Sequence, residues 1–336
     1  PAVWGLWFVN YSRGNYLPAL ESGKRLLDAA QKGNDSGQLL EAHHAAWPTL
    51  LAMGRPLQAI PHMEQGLALY DRDRHGTSAF LYAGHDPGAC CRWHLGMARW
   101  ITGYPHRALG DLQEALRLAE DLKHPMTIVI ALWFGAWVYC QRGERDLAIA
   151  NLDRLVLLGK PHGFTPWIAS ANALSNVLKP ERASPGTITA LYQQLRSSQH
   201  TSSWRRVACL CGLAEICADA GYAEEGLQVL QSIPEEDRGT FAAPEVLRLE
   251  GELLLHRGMP AVAEAKRHFQ EAIALAVGRG EKSFELRAAT SLARLLDGQG
   301  RREEAHTALA GVYGWFTEGF DTADLKAAKA LLDTLT

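Results

Sequence analysis

Side chains that ligate metals or attack substrates are present in this sequence, but not at spacings that make them act together. His43, His44, His85, His94 and His106 compose no H-E-x-x-H helix motif. The six cysteines (Cys90, Cys91, Cys140, Cys209, Cys211, Cys217) show no C-x-x-C pair and mostly sit among apolar neighbours. They read as reduced core thiols, and the sequence predicts neither a metal site nor a cofactor. No G-x-S-x-G elbow presents a nucleophile. Nor is there a phosphate-binding G-x-x-x-x-G-K-[ST] loop, since Gly23-Lys24 and Gly159-Lys160 have Pro18 and Arg154 where the first glycine should stand. What stands out instead is a set of tryptophans and a few arginine–carboxylate pairs, which suit binding better than catalysis.

The elements that position these residues follow from a repeat. A glycine, four further residues and then a small residue opening an apolar run recur at Gly14/Ala19, Gly54/Ala59, Gly103/Ala108, Gly143/Ala148, Gly221/Gly226 and Gly300/Ala305, with a looser copy at Gly258/Ala265. The glycine-to-glycine steps are 40, 49, 40, 78, 37 and 42, and the 78 hides one further unit. About eight units result. Each reads as a helical hairpin: an apolar run of helical period, a glycine suited to the left-handed turn, then a second amphipathic helix. Neither helix buries its apolar stripe alone, so the hairpins must stack, and strand signals are nearly absent. The predicted fold is all-α, a right-handed α-α superhelix of tetratricopeptide type over residues 1–336. The fifth unit is degenerate, with prolines at Pro180 and Pro185, and predicts a hinge at residues 176–200. Residues 323–336 read as a capping helix that covers the end of the stack.

The small residue of each leading helix fixes a register. Residues three before, one after and four after it fall at about 60°, about 100° and about 40° around the helix, on one stripe. In stacked hairpins of this type that stripe faces the concave groove. It carries Trp93, Met97 and Trp100 around Gly96, and Trp133, Trp137 and Cys140 around Ala136. Trp4, Phe8 and Tyr11 stand there in the first unit, and Trp167 in the fifth. Further along it carries Arg248 and Glu252 around Gly251, then Arg287 and Arg294 near Ala293. The expected groove is aromatic in its first half and charged in its second. It would take a peptide, a partner segment or a small amphipathic effector. Against that reading, aromatics at helical spacing also form cores, and arginine–carboxylate pairs also form bridges between repeats.

Four segments carry a resemblance: residues 84–91 (GHDPGACC), 247–255 (LRLEGELLL), 282–294 (KSFELRAATSLAR) and 313–322 (YGWFTEGFDT). With them the chain resembles the C-terminal tetratricopeptide-repeat region of large bacterial proteins described as predicted ATPases with adenylate cyclase-like domains. The resemblance implies a cytoplasmic, non-catalytic regulatory or protein-interaction arm, because neither catalytic part stands in these residues. A start at Pro1, running directly into apolar sequence, reads as a cut inside a larger polypeptide.

Bulk composition narrows the partners. A formal charge of −3 gives no basic surface for nucleic acid or anionic membrane. The longest apolar stretch, residues 128–140, is too short to span a bilayer. Two other functions fit a helical array. One is an enzyme of hairpins closed into a toroid around a Trp-lined cleft, although Glu245 and Glu252 lie on one helix with no facing acid evident. The other is the effector arm of a transcriptional activator. Shape separates the first two, an open superhelix favouring binding and a closed ring favouring catalysis.

Overall fold

The computed structural model describes residues 2–33, 35–76, 82, 84–179, 184–197 and 203–336. All seven glycines of the repeat pattern hold positive φ, from +67° at Gly54 to +93° at Gly103. A residue with a Cβ is strained there, so these glycines end one helix and turn the chain into the next. The first hairpin is α1 (Ala2–Ser12) with α2 (Tyr16–Gly33), the second α3 (Ser36–Ala52) with α4 (Pro56–Leu69), followed by one-turn α5 (Arg72–His75). Then come α6 (Pro87–Ile101) with α7 (Pro105–Leu122), α8 (Pro125–Arg142) with α9 (Arg145–His162), and α10 (Thr165–Val177) with α11 (Pro185–Ser197). The sixth pair is α12 (Ser203–Ala220) and α13 (Ala223–Gln231), trailed by one-turn α14 (Glu235–Arg238). The last two are α15 (Ala243–Leu255) with α16 (Val262–Arg279) and α17 (Lys282–Gly298) with α18 (Arg302–Tyr313), before the final α19 (Ala323–Leu335). Among the described residues there is no strand. The eight hairpins and final helix form the expected α-α superhelix. The looser spacing between Gly258 and Ala265 is taken up by a three-residue 3-10 turn at Met259–Ala261. Of the segment read as a hinge, residues 180–183 and 198–200 lie outside the described residues.

Local chemistry explains where helices begin and how closely they pack. Pro56, Pro87, Pro105 and Pro125 each occupy a first turn, where the missing N–H has no partner to lose. Asp86 caps α6 by accepting from the Ala89 N–H at 2.8 Å. Within the third hairpin the helices approach so closely that a Cβ on Gly96 would stand 2.8 Å from Leu112 Cγ and 2.9 Å from the Ala108 carbonyl oxygen. Ala108 and Ala115 are fully buried at the same crossing. One continuous apolar core runs through nearly all the hairpins.

The superhelix does not stay open. Its last two hairpins come round and dock on the second, third and fourth. The Phe241 N–H donates to the Ala52 carbonyl at 3.1 Å. Ser283 Oγ donates to the Trp100 carbonyl at 2.5 Å, and Phe284 meets the Trp100 ring edge-to-face at 5.4 Å. The loop after α18 acts as a clasp. Its Glu318 carboxylate accepts from the His106 and Arg107 N–H groups at 2.9 and 3.0 Å, satisfying donors at the start of α7. Trp315 packs on Tyr104 at 5.5 Å, Gly319 fits against Pro105, and Asp321 binds Arg142 at 3.1 Å. Residues 313–322 thus lock the eighth hairpin onto the third and fourth.

Candidate functional site

The leading helix of each hairpin faces inward, and closure divides the interior between them into two cavities. The larger, about 630 Å³, is lined from α1, α3, α6, α8, α10 and α12. Its walls are aromatic: Trp7, Trp93, Phe134, Trp167 and Trp204, with Tyr11 beside them. Among the described residues two arginines, Arg13 and Arg205, and no carboxylate belong to its lining. Arg205 is buried and lays its guanidinium over the Trp167 ring, 3.8 Å from the centroid. Burial lowers its pKa to about 10, which leaves it cationic at neutral pH. Trp93 is 1% exposed, and its indole N–H has no hydrogen-bond partner among the described residues. A buried donor without an acceptor is costly.

One end of this chamber is rich in imidazole and thiol. His44 stacks on Trp47, ring centroids 4.9 Å apart, and its Nδ1 meets the Glu41 carboxyl at 2.9 Å. Its Nε2 lies 3.1 Å from Cys90 Sγ and 3.3 Å from His85 Nε2. His94 binds the Cys90 carbonyl through Nδ1 at 2.9 Å. Burial holds the His44 and His94 imidazoles down near pKa 3 and pushes the Cys90 thiol well up.

The second cavity, about 400 Å³, is lined by α8, α10, α12, α15, α17 and the start of α19, and here charge dominates. Glu245 accepts from Arg248 at 2.8 and 2.9 Å and from Arg287 at 3.1 Å. Arg287 also binds Asp324 at 2.8 Å and the Gln141 carbonyl at 3.0 Å, and Arg248 reaches Glu215 at 3.3 Å. Burial works against the Glu245 carboxylate, but the two guanidiniums outweigh it and hold its pKa down to about 2. Trp204 and Phe241, with ring centroids 6.1 Å apart, stand between the two cavities.

The residues singled out from the sequence distribute unequally over this interior. Trp93 and Trp167 line the aromatic chamber, while Trp137 and Arg287 line the charged cavity. Met97 lies in a crevice between them beside Trp204 and Phe241. Arg248 and Glu252 belong to the ion network, 3.7 Å apart, and Glu252 also accepts from Ser291 at 2.5 Å. Trp100 and Trp133 line neither cavity. Trp100 is wedged edge-on against Trp137 and Phe284, and the buried Trp133 indole donates to Ser170 Oγ at 2.9 Å. Arg294 is exposed on α17, outside both cavities. The open groove expected from the sequence is therefore closed over part of its length, because docking of α15 and α17 fills it with side chains. Sequence spacing gave no cue to His44, His85 and Cys90 as a group. Their one trace is that His44 and His85 stand 41 residues apart, close to one repeat step.

No family model matches the chain. A stretch of 125 residues, 37% of this chain, is 27% identical to an uncharacterised protein of Rhizobium meliloti (strain 1021) and takes in 12% of that protein's length. Among solved structures it is similar to a Rap protein complexed with Competence and Sporulation Factor (11% identity, 99% of this chain and 76% of that one, TM-score 0.44). It is also similar to the quorum sensor NprR of B. thuringiensis in its apo form (13% identity, 99% and 97%, TM-score 0.47). A tetratricopeptide repeat protein from Parabacteroides merdae aligns over 92% of this chain and 99% of its own (13% identity, TM-score 0.41). With TM-scores below 0.5 these likenesses carry no further reading, and the solenoid rests on the eight stacked hairpins.

Proposed function

We propose that this chain is a non-catalytic sensing module whose aromatic chamber takes a small anionic amphipath, with an aromatic or acyl body and a negatively charged or acceptor head. The observation that carries the reading is the lining of that chamber: tryptophan walls, a buried guanidinium stacked on Trp167 and, among the described residues, no carboxylate. A cavity of about 630 Å³ has the size of a small-molecule site. A long partner segment fits less well, because Trp100 and Trp133 are packed where it would run. The signalling context follows from the resemblance in residues 84–91, 247–255, 282–294 and 313–322. We infer a regulatory arm of a larger bacterial ATPase or adenylate cyclase-like protein, in which occupancy of the chamber alters how the last hairpins dock and so reports to the rest.

The ring-like closure is the shape on which the enzyme reading depended, but the acids inside do not support it. Glu245 is held by two arginines, and Glu215 reaches the same network through Arg248. Both carboxylates thus face guanidiniums rather than a free reaction site.

Thermal shift against matched aromatic carboxylates, sulfonates and amines tests the proposal. Ligand at one hundred times its Kd stabilises by about 2.7 kcal/mol. Anionic members should raise the melting temperature and amines should not. Equal shifts from the amines, or none across the panel, would refute it. The isolated chain should hydrolyse no ATP and cyclise none.

A further inference from the structure

Three side chains from separate parts of the sequence converge at the head of the aromatic chamber. His44 comes from the middle of α3, His85 from the turn before α6, and Cys90 from the first turn of α6. Their donor atoms Nε2, Nε2 and Sγ all lie within 4.8 Å of one another. His44 and Cys90 are buried, and all three line the cavity.

Hydrogen bonding alone serves this arrangement poorly. Glu41 engages the Nδ1 of His44, leaving Nε2 with one proton or one lone pair. Yet that single atom faces Cys90 Sγ at 3.1 Å and His85 Nε2 at 3.3 Å. One cation at their centre would satisfy all three donors together. The two edges that meet at His44 are close to those of a bound ion, and the third, His85 to Cys90, is no longer than 4.8 Å: zinc bonds of about 2.0–2.1 Å to nitrogen give a tetrahedral N–N edge of about 3.3 Å. The corresponding N–S edge is about 3.5 Å, a few tenths longer than the His44–Cys90 separation. The outer residues fit too. Glu41 stands behind His44 with a carboxyl oxygen on the far ring nitrogen, and the Trp47 stack fixes the ring plane. His94 turns its Nδ1 to the Cys90 carbonyl, supporting the turn that presents the thiol.

We infer that His44, His85 and Cys90 form a binding site for a zinc-like divalent ion, with Glu41 as a positioning residue and the fourth coordination position open to the chamber. Imidazole and thiolate together select zinc over magnesium or calcium. On binding, the Cys90 S–H bond is replaced by a sulfur–metal bond, and the thiol proton leaves to bulk water. Three protein ligands plus one open position describe an ion that exchanges its fourth ligand, unlike a closed structural zinc. The inference rests on the three converging donors and holds whether or not the chamber takes an anionic amphipath.

Cobalt(II) titrated into the purified metal-free chain, with no organic ligand present, gives the test. One equivalent should bind, with the visible bands of a tetrahedral ion and a thiolate-to-cobalt charge-transfer band, and zinc should displace it. Cys90→Ser should abolish the charge-transfer band. His44→Ala and His85→Ala should weaken binding at least tenfold, and Glu41→Gln by about 10- to 100-fold. His306→Ala and Cys217→Ser, remote from the cluster, should bind as the parent does. No stoichiometric binding, or a charge-transfer band that survives Cys90→Ser, overturns the site. Should the variants unfold, X-ray absorption on the zinc-loaded parent decides. One sulfur at about 2.3 Å with imidazole nitrogens at about 2.0–2.1 Å is expected. A shell without sulfur contradicts the proposal.

Discussion

The two interior cavities share a scaffold and a depth, yet they handle polarity in opposite ways. In the charged cavity Glu245, Arg248, Arg287 and Asp324 pair with one another. In the aromatic chamber a buried arginine lies on a tryptophan face, a buried indole N–H lacks an acceptor, and imidazoles crowd a thiol. Buried polar groups that are mutually paired hold a structure together, whereas a buried donor without an acceptor among the described residues, as at the Trp93 indole, leaves room for one from a ligand. The charged cavity thus serves as the joint between the two halves of the superhelix, and the aromatic chamber is the proposed receptor.

Breaking the joint should produce the largest loss. Glu245→Gln leaves the buried Arg248 and the partly buried Arg287 guanidiniums short of a charge, and urea unfolding should show a cost of about 3–5 kcal/mol. The pairing also sets an acid limit. The folded pKa near 2 lies below the ordinary 4.5, so this stabilisation is complete above pH 4.5 and lost as pH falls towards 2. A loss below about 1 kcal/mol would place the joint elsewhere. Trp133→Ala should cost a similar 3–5 kcal/mol, since the ring is fully buried and lines no cavity. A small cost, together with weakened binding of an anionic probe, would return Trp133 to the receptor.

Glu281 sharpens the contrast from a third place. It is as buried as Glu245, but neither carboxylate oxygen has a hydrogen-bond partner among the described residues. The nearby Arg279 donates instead to the Thr240 and Gly239 carbonyls. Burial therefore pushes the Glu281 pKa up to about 8. Its contribution to stability is full below pH 4.5 and drains away as pH rises through 8. Glu281→Gln should match the parent at pH 4.5 and exceed it by roughly 3 kcal/mol above pH 8, read from paired urea melts. Equal stabilities at both pH values would mean that Glu281 has an unseen partner.

Much of this architecture was legible in the residues. Glycines that tolerate positive φ marked the turns, small residues marked the crossings, and the 78-residue step marked the hidden hairpin α10/α11. The inward stripe was legible as well, because helical period fixes which residues of each leading helix face the axis. What periodicity does not carry is the distance across that axis. Trp100 and Trp133 share the register of Trp93 and Trp137, yet only docking of α12, α15 and α17 decides which rings are packed and which face a space. The same holds for His44, His85 and Cys90, where one repeat step of separation becomes proximity only after stacking. Residues 313–322, singled out for their resemblance, proved to be the clasp that sets the closure.

The smallest expected change in stability belongs to the receptor itself. Trp167 is half-buried, so Trp167→Ala should cost only about 1 kcal/mol. It should nevertheless remove the platform on which Arg205 lies. Titration of anilinonaphthalene sulfonate into the native parent and this variant, followed by energy transfer from tryptophan, tests the central claim most directly. One saturable site is expected in the parent and at least tenfold weaker binding in the variant, with the melting curve little changed. Non-saturable binding, or the same affinity in both proteins, would contradict it.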